Sequence, residues 1–502
     1  MQAGTALHLL AFDLGAESGR AMVGHFDGER LGLEEIHRFS DSPVLAGEHL
    51  YSDVLRMWTE MQTGLQKAAA QSKTGLASVG VDTWGVDFAL LDEQDRLLGN
   101  PFHYRDSHTR GALAAALQRV PQEEIYAQTG NQLVEFNTLF QLLSMQQSAN
   151  PNLPAAHALL MLPDLFNFWL SGKKASEFTI ASTSQCFNPY THTWAVDLIK
   201  RLGLPTHIFQ PVVPAGSILG HLQPWLADQS GCEPIPVIAP ACHDTGSAVA
   251  AIPVSVPHFM YISSGTWSLV GVELEQPMIN AATLAANLAN EGGVGERVRL
   301  LKITPGMWLL QQCRSEWSRR GQDYTYYELT SLASKAAPFG PLLDMGAQVF
   351  IAPGGMPERI QAYYQHTGQT VVQSVGEIVR SILESLAIEY RICLDGLEAL
   401  LGRPLEVIHI IGGGSRNSLL NQFTANVTNR TVIAGPVEAT VTGNLLVQAM
   451  GLGCLASLDD LRQVMRRSFE VQIFEPQLDD RWEDAYDRVR QLAARGGNTQ
   501  YE

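Results

Sequence analysis

The sequence has few cysteines, few basic residues and no long apolar run. Its six cysteines have no paired spacing that would suit zinc or a compact disulfide framework, so we expect reduced and mostly buried thiols. Lys and Arg number 34 against 51 Asp and Glu, and the net charge of −17 argues against a nucleic-acid or membrane partner. No basic segment followed by an apolar stretch opens the chain, and Pro163 and Asp164 interrupt the apolar residues of 157–170. We therefore expect a cytoplasmic protein, monomer or homodimer, whose partners are small molecules.

The length and composition predict two folded domains. A single hydrophobic core stops growing beyond about 250 to 300 residues, and this chain has 502. Hydrophobic residues make up 45% and charged residues 17%, as in globular proteins. We place the boundary so that residues 1–248 form an N-terminal domain and residues 249–502 a C-terminal domain with a helical tail at 458–495.

A glycine-containing loop joins the first two predicted strands. The apolar run 7–12 is followed by Asp13, Gly15 and Gly19 and then by the strand 21–26. Glycines permit a backbone that turns its N–H groups inward toward phosphate oxygens, and Asp13 at the strand end could hold Mg²⁺. The alternative is an ordinary hairpin with glycines in its turn.

The same pattern returns in the second half of the chain. A strand at 258–262 leads into Ser263-Ser264-Gly265-Thr266 and a further strand at 267–273. Gly15 and Gly265 are 265 − 15 = 250 positions apart, about half the chain, which indicates one domain design used twice. Two such loops facing each other across a cleft could grip the two ends of a triphosphate.

An unusual mixture of polar and aromatic residues lies at 79–91. This apolar stretch, predicted as a strand pair, includes Asp82, Trp84, Gly85 and Asp87. Buried strands seldom carry such residues unless a ligand or a hydrogen-bond network satisfies them. Together with Arg105 they provide the aromatic faces and polar groups that a sugar pocket needs. The alternative is an internal ion pair between Arg105 and an Asp.

A carboxylate lies between a predicted strand at 235–241 and a predicted helix. Asp244 begins that helix, where the helix dipole and free N–H groups would keep it ionised and fixed. It could then accept a proton from a substrate hydroxyl. The alternative is an Asp N-cap without chemistry.

Three consecutive glycines, Gly412 to Gly414, separate a strand at 407–411 from a helix at 419–428. They let a flat ring such as adenine lie on the backbone, although a simple tight turn is the alternative. Helical patterns also predict helices at 137–147, 157–171 and 377–400.

Taken together, these motifs resemble those of the FGGY family of carbohydrate kinases, nearly from end to end, and most closely its branch that acts on L-rhamnulose. The resemblance rests on Asp82 to Phe88, Tyr104 to Ser107, His243 to Thr245, Ser263 to Ser268, Leu309 to Gln311 and Gly412 to Gly414. It implies an α/β fold with two ribonuclease-H-like domains, the design of actin, hexokinase and the Hsp70 ATPase, with an interdomain cleft. It also implies ATP- and Mg²⁺-dependent phosphorylation of the 1-hydroxyl of a 6-deoxy-ketohexose.

The resemblance further implies roles for individual residues. Asp244 matches the proton acceptor. Sugar-binding positions are matched by Gly85, His243, Asp244 and Thr245, with Trp84, Asp87 and Arg105 added from the residues themselves. Nucleotide-binding positions are matched by Ala16, Glu17, Ser18, Gly19, Arg20, Thr266, Gln311 and Gly413.

One position departs from the family pattern. Ile303 stands where an Asn contacts the sugar, and isoleucine offers no side-chain hydrogen bond. Such a loss changes which epimer a site prefers, so L-fuculose or another ketose remains an alternative to L-rhamnulose, unless Thr304 substitutes. An actin-like or Hsp70-like ATPase without sugar chemistry is the alternative of another class; it leaves the residues at 82–88 and 104–106 unexplained.

Overall fold

The structure is a computed structural model that describes residues 6–15, 18–72, 74–351 and 354–496. Strands and helices alternate along the chain, which confirms the α/β class. The strands are β1 (Leu7–Leu14), β2 (Ser18–Phe26), β3 (Leu31–Ser40), β4 (Val44–Ala46), β5 (His49–Tyr51), β6 (Ser78–Thr83), β7 (Phe88–Leu91), β8 (Ala158–Met161), β9 (Ser176–Glu177), β10 (Phe187–Asn188), β11 (Thr193–Trp194), β12 (Val212–Val213), β13 (Ser217–His221), β14 (Pro236–Ala239), β15 (Phe259–Ser264), β16 (Trp267–Leu274), β17 (Ala289–Gly292), β18 (Val298–Pro305), β19 (Val407–Ile411), β20 (Thr431–Ala434) and β21 (Gln472–Phe474).

The α-helices are α1 (Val54–Gln71), α2 (Ala112–Leu117), α3 (Gln122–Thr129), α4 (Thr138–Gln147), α5 (Asn152–Ala155), α6 (Leu162–Ser171), α7 (Phe178–Ala181), α8 (Val196–Arg201), α9 (Pro224–Ser230), α10 (Asp244–Ala250), α11 (Ala281–Ala285), α12 (Trp308–Arg319), α13 (Tyr326–Lys335), α14 (Met356–His366), α15 (Val375–Leu401), α16 (Ser418–Thr428), α17 (Ala439–Gly451), α18 (Leu458–Ser468) and α19 (Arg481–Gly496). The predicted helices at 137–147 and 377–400 are confirmed as α4 and α15.

The chain forms two compact units that are not contiguous in sequence. The first consists of Met1–Pro253, Glu273–Leu301 and Glu438–Phe469, and the second of Val254–Val272, Lys302–Val437 and Glu470–Glu502. Two segments beyond residue 248 therefore belong to the first unit.

A six-stranded sheet forms the centre of the first unit, in the order β13-β14-β6-β1-β2-β3. Strands β14, β6 and β1 are parallel, whereas β2, β3 and β13 run antiparallel to their neighbours. Central parallel strands are covered on both faces, which explains why every residue of β6 and residues 9–14 of β1 are buried. Helix α1 places Met57, Met61 and Leu65, each four residues apart, in one buried cluster with Phe12.

Five neighbouring strands of a seven-stranded sheet repeat this arrangement in the second unit, in the order β16-β15-β19-β20-β21. Strands β15 and β16 form an antiparallel hairpin, β19 and β20 run parallel to β15, and β21 is antiparallel at the edge. In both units the hairpin turn contains a glycine, Gly15 or Gly265. The prediction that one domain design occurs twice is confirmed.

The predicted helix at 157–171 is wrong in its first part. Ala158–Met161 form a buried strand paired antiparallel with β7, and α6 begins only at Leu162. Pro163 lies in the first turn of α6, where its missing N–H costs no intrahelical bond. The sequence did not separate the two elements, because a short apolar strand next to a buried helix shows no periodicity that distinguishes it from the helix.

The stretch 458–495 is not a single exposed helical tail. It forms α18, the edge strand β21 and α19, and the apolar faces of both helices are buried, as Leu461, Met465 and Trp482 show. All six cysteines are free thiols that are buried or half-buried, as expected. Within the described residues, no helix has both the length and the apolar character that crossing a bilayer requires.

Candidate active site

Two of the motifs singled out in the sequence meet at the end of β6. The backbone N–H of Thr83 donates to the carbonyl of Cys242 at 2.9 Å, and Thr83 and His243 form an isolated parallel bridge. The segments 82–87 and 243–245 are therefore adjacent, at the carboxyl ends of β6 and β14. In open α/β sheets this edge is where ligands bind.

Asp244 is the first residue of α10, and its carboxylate is held on one side only. Oδ1 accepts the N–H of Thr245 at 2.5 Å and the Thr245 hydroxyl at 3.2 Å, and it lies 3.4 Å from Nε2 of His243. The cap position belongs to His243, so the interpretation of Asp244 as an N-cap is wrong. Its side chain is 30% exposed. Oδ1 is thus anchored, and the hydrogen bonds described here do not involve Oδ2.

The helix start does not by itself set the charge of Asp244. Burial raises the pKa of this carboxyl above its ordinary value, His243 opposes that shift, and the nearby carboxylate of Asp13 adds to it. Desolvation therefore has a larger effect on this pKa than the N-terminus of the helix, which was expected to keep the carboxylate ionised.

A buried glutamate fixes the loop before Asp244. The Glu177 carboxylate accepts the N–H of Cys242 at 3.0 Å and the hydroxyl of Thr179 at 2.6 Å. The Thr179 hydroxyl in turn accepts the N–H of His243 at 3.1 Å. Burial raises the pKa of Glu177 to about 7 against these hydrogen bonds. The sequence analysis missed this residue, because it lies in a polar stretch without periodicity.

Three carboxylates of the first unit influence one another. Asp13 and Asp82 are register partners on β1 and β6. Burial raises the pKa of Asp82 well above its ordinary value, and Asp13 and Asp244 raise it further. Asp82 Oδ2 accepts the amide of Asn444 at 2.6 Å, whereas Oδ1 is buried and has no hydrogen-bond partner within the described ranges.

Asp13 is paired with a cation of the protein. Arg20 lies 2.5 Å from its Oδ2 and 2.6 Å from Glu438 Oε2. No group of three or more His, Cys, Asp or Glu side chains in the part of the chain that the structure describes could hold a metal ion by itself.

Two of the predicted sugar-binding residues, Trp84 and Asp87, form a buried, hydrogen-bonded pair. The Trp84 indole donates to Asp87 Oδ2 at 2.9 Å, and the Ser52 hydroxyl donates to the same oxygen at 3.3 Å. A Cβ on Gly85 would lie 3.1 Å from the side chain of Thr183. Burial raises the pKa of Asp87 to about 7, although the Trp84 hydrogen bond opposes the shift.

Aromatic rings surround this group. His103 lies between Trp84 and Tyr104, with ring centroids 5.8 and 4.5 Å away, and the Arg105 guanidinium lies over the Tyr104 ring at 5.3 Å. The neighbouring Asp106 accepts the backbone N–H groups of Leu50 and His108. Trp84 and Arg105 therefore border one aromatic cluster, and their role in sugar binding stays a prediction.

In the second unit, the Gly265 turn is fixed by the start of α12. The carbonyls of Gly265 and Thr266 accept the N–H groups of Met307 and Gly306 at 2.9 and 3.1 Å. A Cβ on Gly306 would lie 2.7 Å from the Gly265 carbonyl, so only glycine permits this approach. Gln311, one turn into α12, is therefore held near Thr266.

The triple glycine lies beside the same turn, because Ser263 and Ile411 are register partners on β15 and β19. A Cβ on Gly414 would collide with the side chain of Ser264, whereas a Cβ on Gly413 would meet no protein atom within 4 Å. Gly414 is therefore required by packing, and Gly413 has an open face.

The first glycine loop is only partly described. Ala16 and Glu17 lie outside the described residues. Ser18, Gly19 and Arg20 begin β2, and the ring of Phe39 occupies the place of a Gly19 side chain. Packing against Phe39 alone requires a glycine there. The expected link between Gly19 and phosphate binding stays a prediction.

Ile303 lies half-buried on β18. The neighbouring Thr304, considered above as a substitute for the family Asn, is buried and donates its hydroxyl to Glu389 at 3.0 Å. The hydroxyl proton of Thr304 is therefore already used in a hydrogen bond within the protein.

Residues 8–251 match the N-terminal domain of the FGGY family of carbohydrate kinases, and residues 260–452 match its C-terminal domain. The chain belongs to the FGGY family of carbohydrate kinases. The resemblance stated from the sequence is confirmed. Because both domains match, an ATPase without sugar chemistry is no longer a competing interpretation of this FGGY kinase.

Known relatives of this FGGY kinase match over nearly the whole chain. A rhamnulokinase of Bacteroides thetaiotaomicron is 44% identical, covering 95% of this chain and 98% of the relative. A rhamnulokinase of Oceanobacillus iheyensis is 38% identical, covering 93% and 97%. Among solved structures, xylulose kinase of Lactobacillus acidophilus has a TM-score of 0.78 at 14% identity, with 97% of each chain covered. The last likeness supports the two-domain fold alone.

Proposed function

We propose that this FGGY kinase transfers the γ-phosphoryl group of ATP to the 1-hydroxyl of a 6-deoxy-ketohexose, with L-rhamnulose as its substrate. The rhamnulokinases among its relatives, which match over nearly their full length, support this choice of sugar. The observation that carries the proposal is the geometry of Asp244, a half-buried carboxylate anchored through Oδ1 in a segment that adjoins the end of β6.

The sugar binds against the group formed by Trp84, Asp87 and Arg105. Rings such as Trp84 and Tyr104 provide apolar faces for the sugar carbons, and the charged groups provide hydrogen bonds for its hydroxyls. Gly85 has no side chain at this point, and Thr183 fills the space that a side chain would need. His243 and Thr245 flank the reacting hydroxyl on either side of Asp244.

Asp244 is the general base. Oδ2 accepts the proton of the 1-hydroxyl as the oxygen attacks the γ-phosphorus, and ADP leaves with the electron pair of the broken P–O bond. The raised pKa of Asp244 suits this role, since a base accepts a proton best when its pKa approaches the working pH. The remaining catalysis consists of positioning and charge neutralisation.

In each unit, residues at or near the glycine turn are the proposed contacts of the nucleotide. Thr266, Gln311 and the open backbone face of Gly413 bind it from the second unit, and adenine lies on Gly413. Ser18, Gly19 and Arg20 contribute from the first unit, together with Ala16 and Glu17.

A magnesium ion fits the carboxylates of the first unit. Among the residues that the structure describes, none hydrogen-bonds the buried Oδ1 of Asp82, which interacts electrostatically with Asp13 and Asp244, and Mg²⁺ needs only one or two protein carboxylates besides phosphates and waters. Asp13 is the residue that would hold it. Bound there, it would neutralise charge on the phosphate oxygens.

The test is release of ADP by the purified chain with ATP, Mg²⁺ and one sugar at a time. L-rhamnulose should give the largest kcat/KM, with L-fuculose and L-xylulose weaker, and phosphorus NMR should place the phosphate on the 1-hydroxyl. Faster reaction with another ketose would reassign the substrate. ADP release that ignores sugar would refute the proposal.

Ile303 offers a second test of sugar choice. Ile303→Asn restores the side-chain amide of the family pattern and should change the ratio of kcat/KM for L-rhamnulose over L-fuculose by roughly tenfold. An unchanged ratio would show that this position does not select the epimer.

A further inference from the structure

A buried arginine contacts His243, the residue that precedes the proposed base Asp244. Arg299 on β18 has no exposed surface, and its Nε donates to the carbonyl of Gly292 at 2.8 Å. Its Nη2 lies 3.0 Å from Oε2 of Glu291 on β17, which is also buried. The hairpin β17–β18 thus presents a fixed ion pair within the first unit, and a buried arginine does not lose its proton.

Both members of this pair approach the same ring nitrogen. His243 Nδ1 lies 3.1 Å from Arg299 Nη2 and 3.2 Å from Glu291 Oε2. A ring nitrogen serves either as donor or as acceptor, so only one of these contacts is a hydrogen bond. An N–H of Arg299 points at Nδ1, whereas Glu291 Oε2 has no well-aligned donor in the described part of the chain. Nδ1 is therefore the acceptor.

We propose that Arg299 is a positioning residue that holds His243 as the neutral tautomer with its proton on Nε2. That N–H then faces Asp244 Oδ1, 3.4 Å away. The consequence for catalysis rests on the proposed function, whereas the tautomer rests on the geometry alone.

Three charged groups lie around the ring. Arg299 faces Nδ1, Asp244 faces Nε2, and Glu291 lies beside the ring. A second proton on Nδ1 would occupy the position at which that nitrogen accepts the N–H of Arg299. Glu291 forms the buried ion pair with Arg299.

The tautomer decides which oxygen of Asp244 reacts. With its proton on Nε2, His243 adds a favourable electrostatic contact to Oδ1, 3.4 Å away, besides the two hydrogen bonds from Thr245. Oδ2 then remains for the hydroxyl of the sugar. The opposite tautomer would turn a lone pair toward the carboxylate and push it away from this orientation.

Nitrogen-15 NMR of the full chain labelled on its histidine rings tests the tautomer directly. The signals of His243 are assigned as those lost in His243→Gln. We expect a protonated Nε2 and an unprotonated Nδ1 at neutral pH. A proton on Nδ1, alone or together with Nε2, would overturn the proposal.

Kinetics of Arg299→Met tests the consequence. Its kcat should fall by on the order of 100-fold with the KM for ATP unchanged, because the misplaced base affects the reacting oxygen and not the nucleotide. Arg297→Met is the matched control, since Arg297 lies two residues away and is 43% exposed. Normal kcat in Arg299→Met would refute the positioning role. If the unaltered chain phosphorylates no ketose, the proposed function fails, and the NMR result still decides the tautomer.

Discussion

The side-chain amide of Asn444 donates a hydrogen bond to Oδ2 of Asp82 at 2.6 Å. The bond joins α17 to the end of β6. Gln448 extends this network, because its amide donates to Asn444 at 2.6 Å and to the Leu10 carbonyl at 3.0 Å. A Cβ on Gly80 would lie within 3.0 Å of both amides, so the glycine lets α17 approach the sheet. This network holds the carboxylate next to Asp13.

Asn444→Ala should therefore destabilise the protein. It removes the hydrogen bond to the buried Asp82 side chain and one of the hydrogen bonds of the Gln448 amide, which costs about 1–3 kcal/mol of the free energy of unfolding. Urea unfolding followed by circular dichroism measures the loss. The control is Gln463→Ala, an exposed amide on α18, which should stay within about 0.5 kcal/mol. Equal stability of the two variants would contradict the role of the network.

Asp87 should give the protein a specific dependence of stability on pH. Its pKa is raised from 3.8 to about 7 in the folded state by burial. The folded state thus binds the proton more tightly than the unfolded chain, and this contribution to stability is lost as the pH rises toward 7. Between about pH 5 and pH 8, the free energy of unfolding of the unaltered chain should fall by about 2–3 kcal/mol relative to Asp87→Asn.

The comparison for this prediction is Glu93→Gln, which removes an exposed carboxylate of the same loop region. Its difference from the unaltered chain should not vary with pH. A pH-independent difference for Asp87→Asn as well would mean that Asp87 is ionised in the folded state throughout this range.

Alanine substitutions at Gly413 and Gly414 should have different effects, the first on nucleotide binding and the second on the stability of the fold. Gly413→Ala should raise the KM for ATP while leaving the free energy of unfolding within about 0.5 kcal/mol, because its Cβ meets no protein atom within 4 Å. Gly414→Ala should lower the free energy of unfolding by about 1–3 kcal/mol, because its Cβ collides with Ser264. If Gly413→Ala leaves the KM for ATP unchanged, adenine does not lie on that face.

Much of the fold could be predicted because its central strands are apolar runs bounded by glycines. The runs at β1, β19 and the hairpin β15–β16 are fixed locally by composition and turn residues, and the interval between Gly15 and Gly265 indicated the duplication. The strand β8 could not be predicted, since its four apolar residues continue into α6 and only pairing with β7 distinguishes them.

The site could be predicted only where its residues are close in sequence. Asp82 to Asp87 and His243 to Thr245 each form one motif. Glu177, Arg299 and Asn444 reach the site from other elements through buried hydrogen bonds or ion pairs. Arg299 and Asn444 stood out only as polar residues beside apolar ones, and Glu177 lies in a polar stretch without periodicity, so the sequence did not indicate their partners.

Single-turnover phosphorylation of L-rhamnulose by Asp244→Asn tests the account most directly. Asparagine keeps the shape of the side chain but accepts no proton, so the rate should fall by about 100-fold to 10,000-fold while the Kd for ATP stays within about twofold. Asp228→Asn, which alters an exposed aspartate on α9, should react normally. A rate for Asp244→Asn within about threefold of the unaltered chain would contradict the assignment of Asp244 as the base.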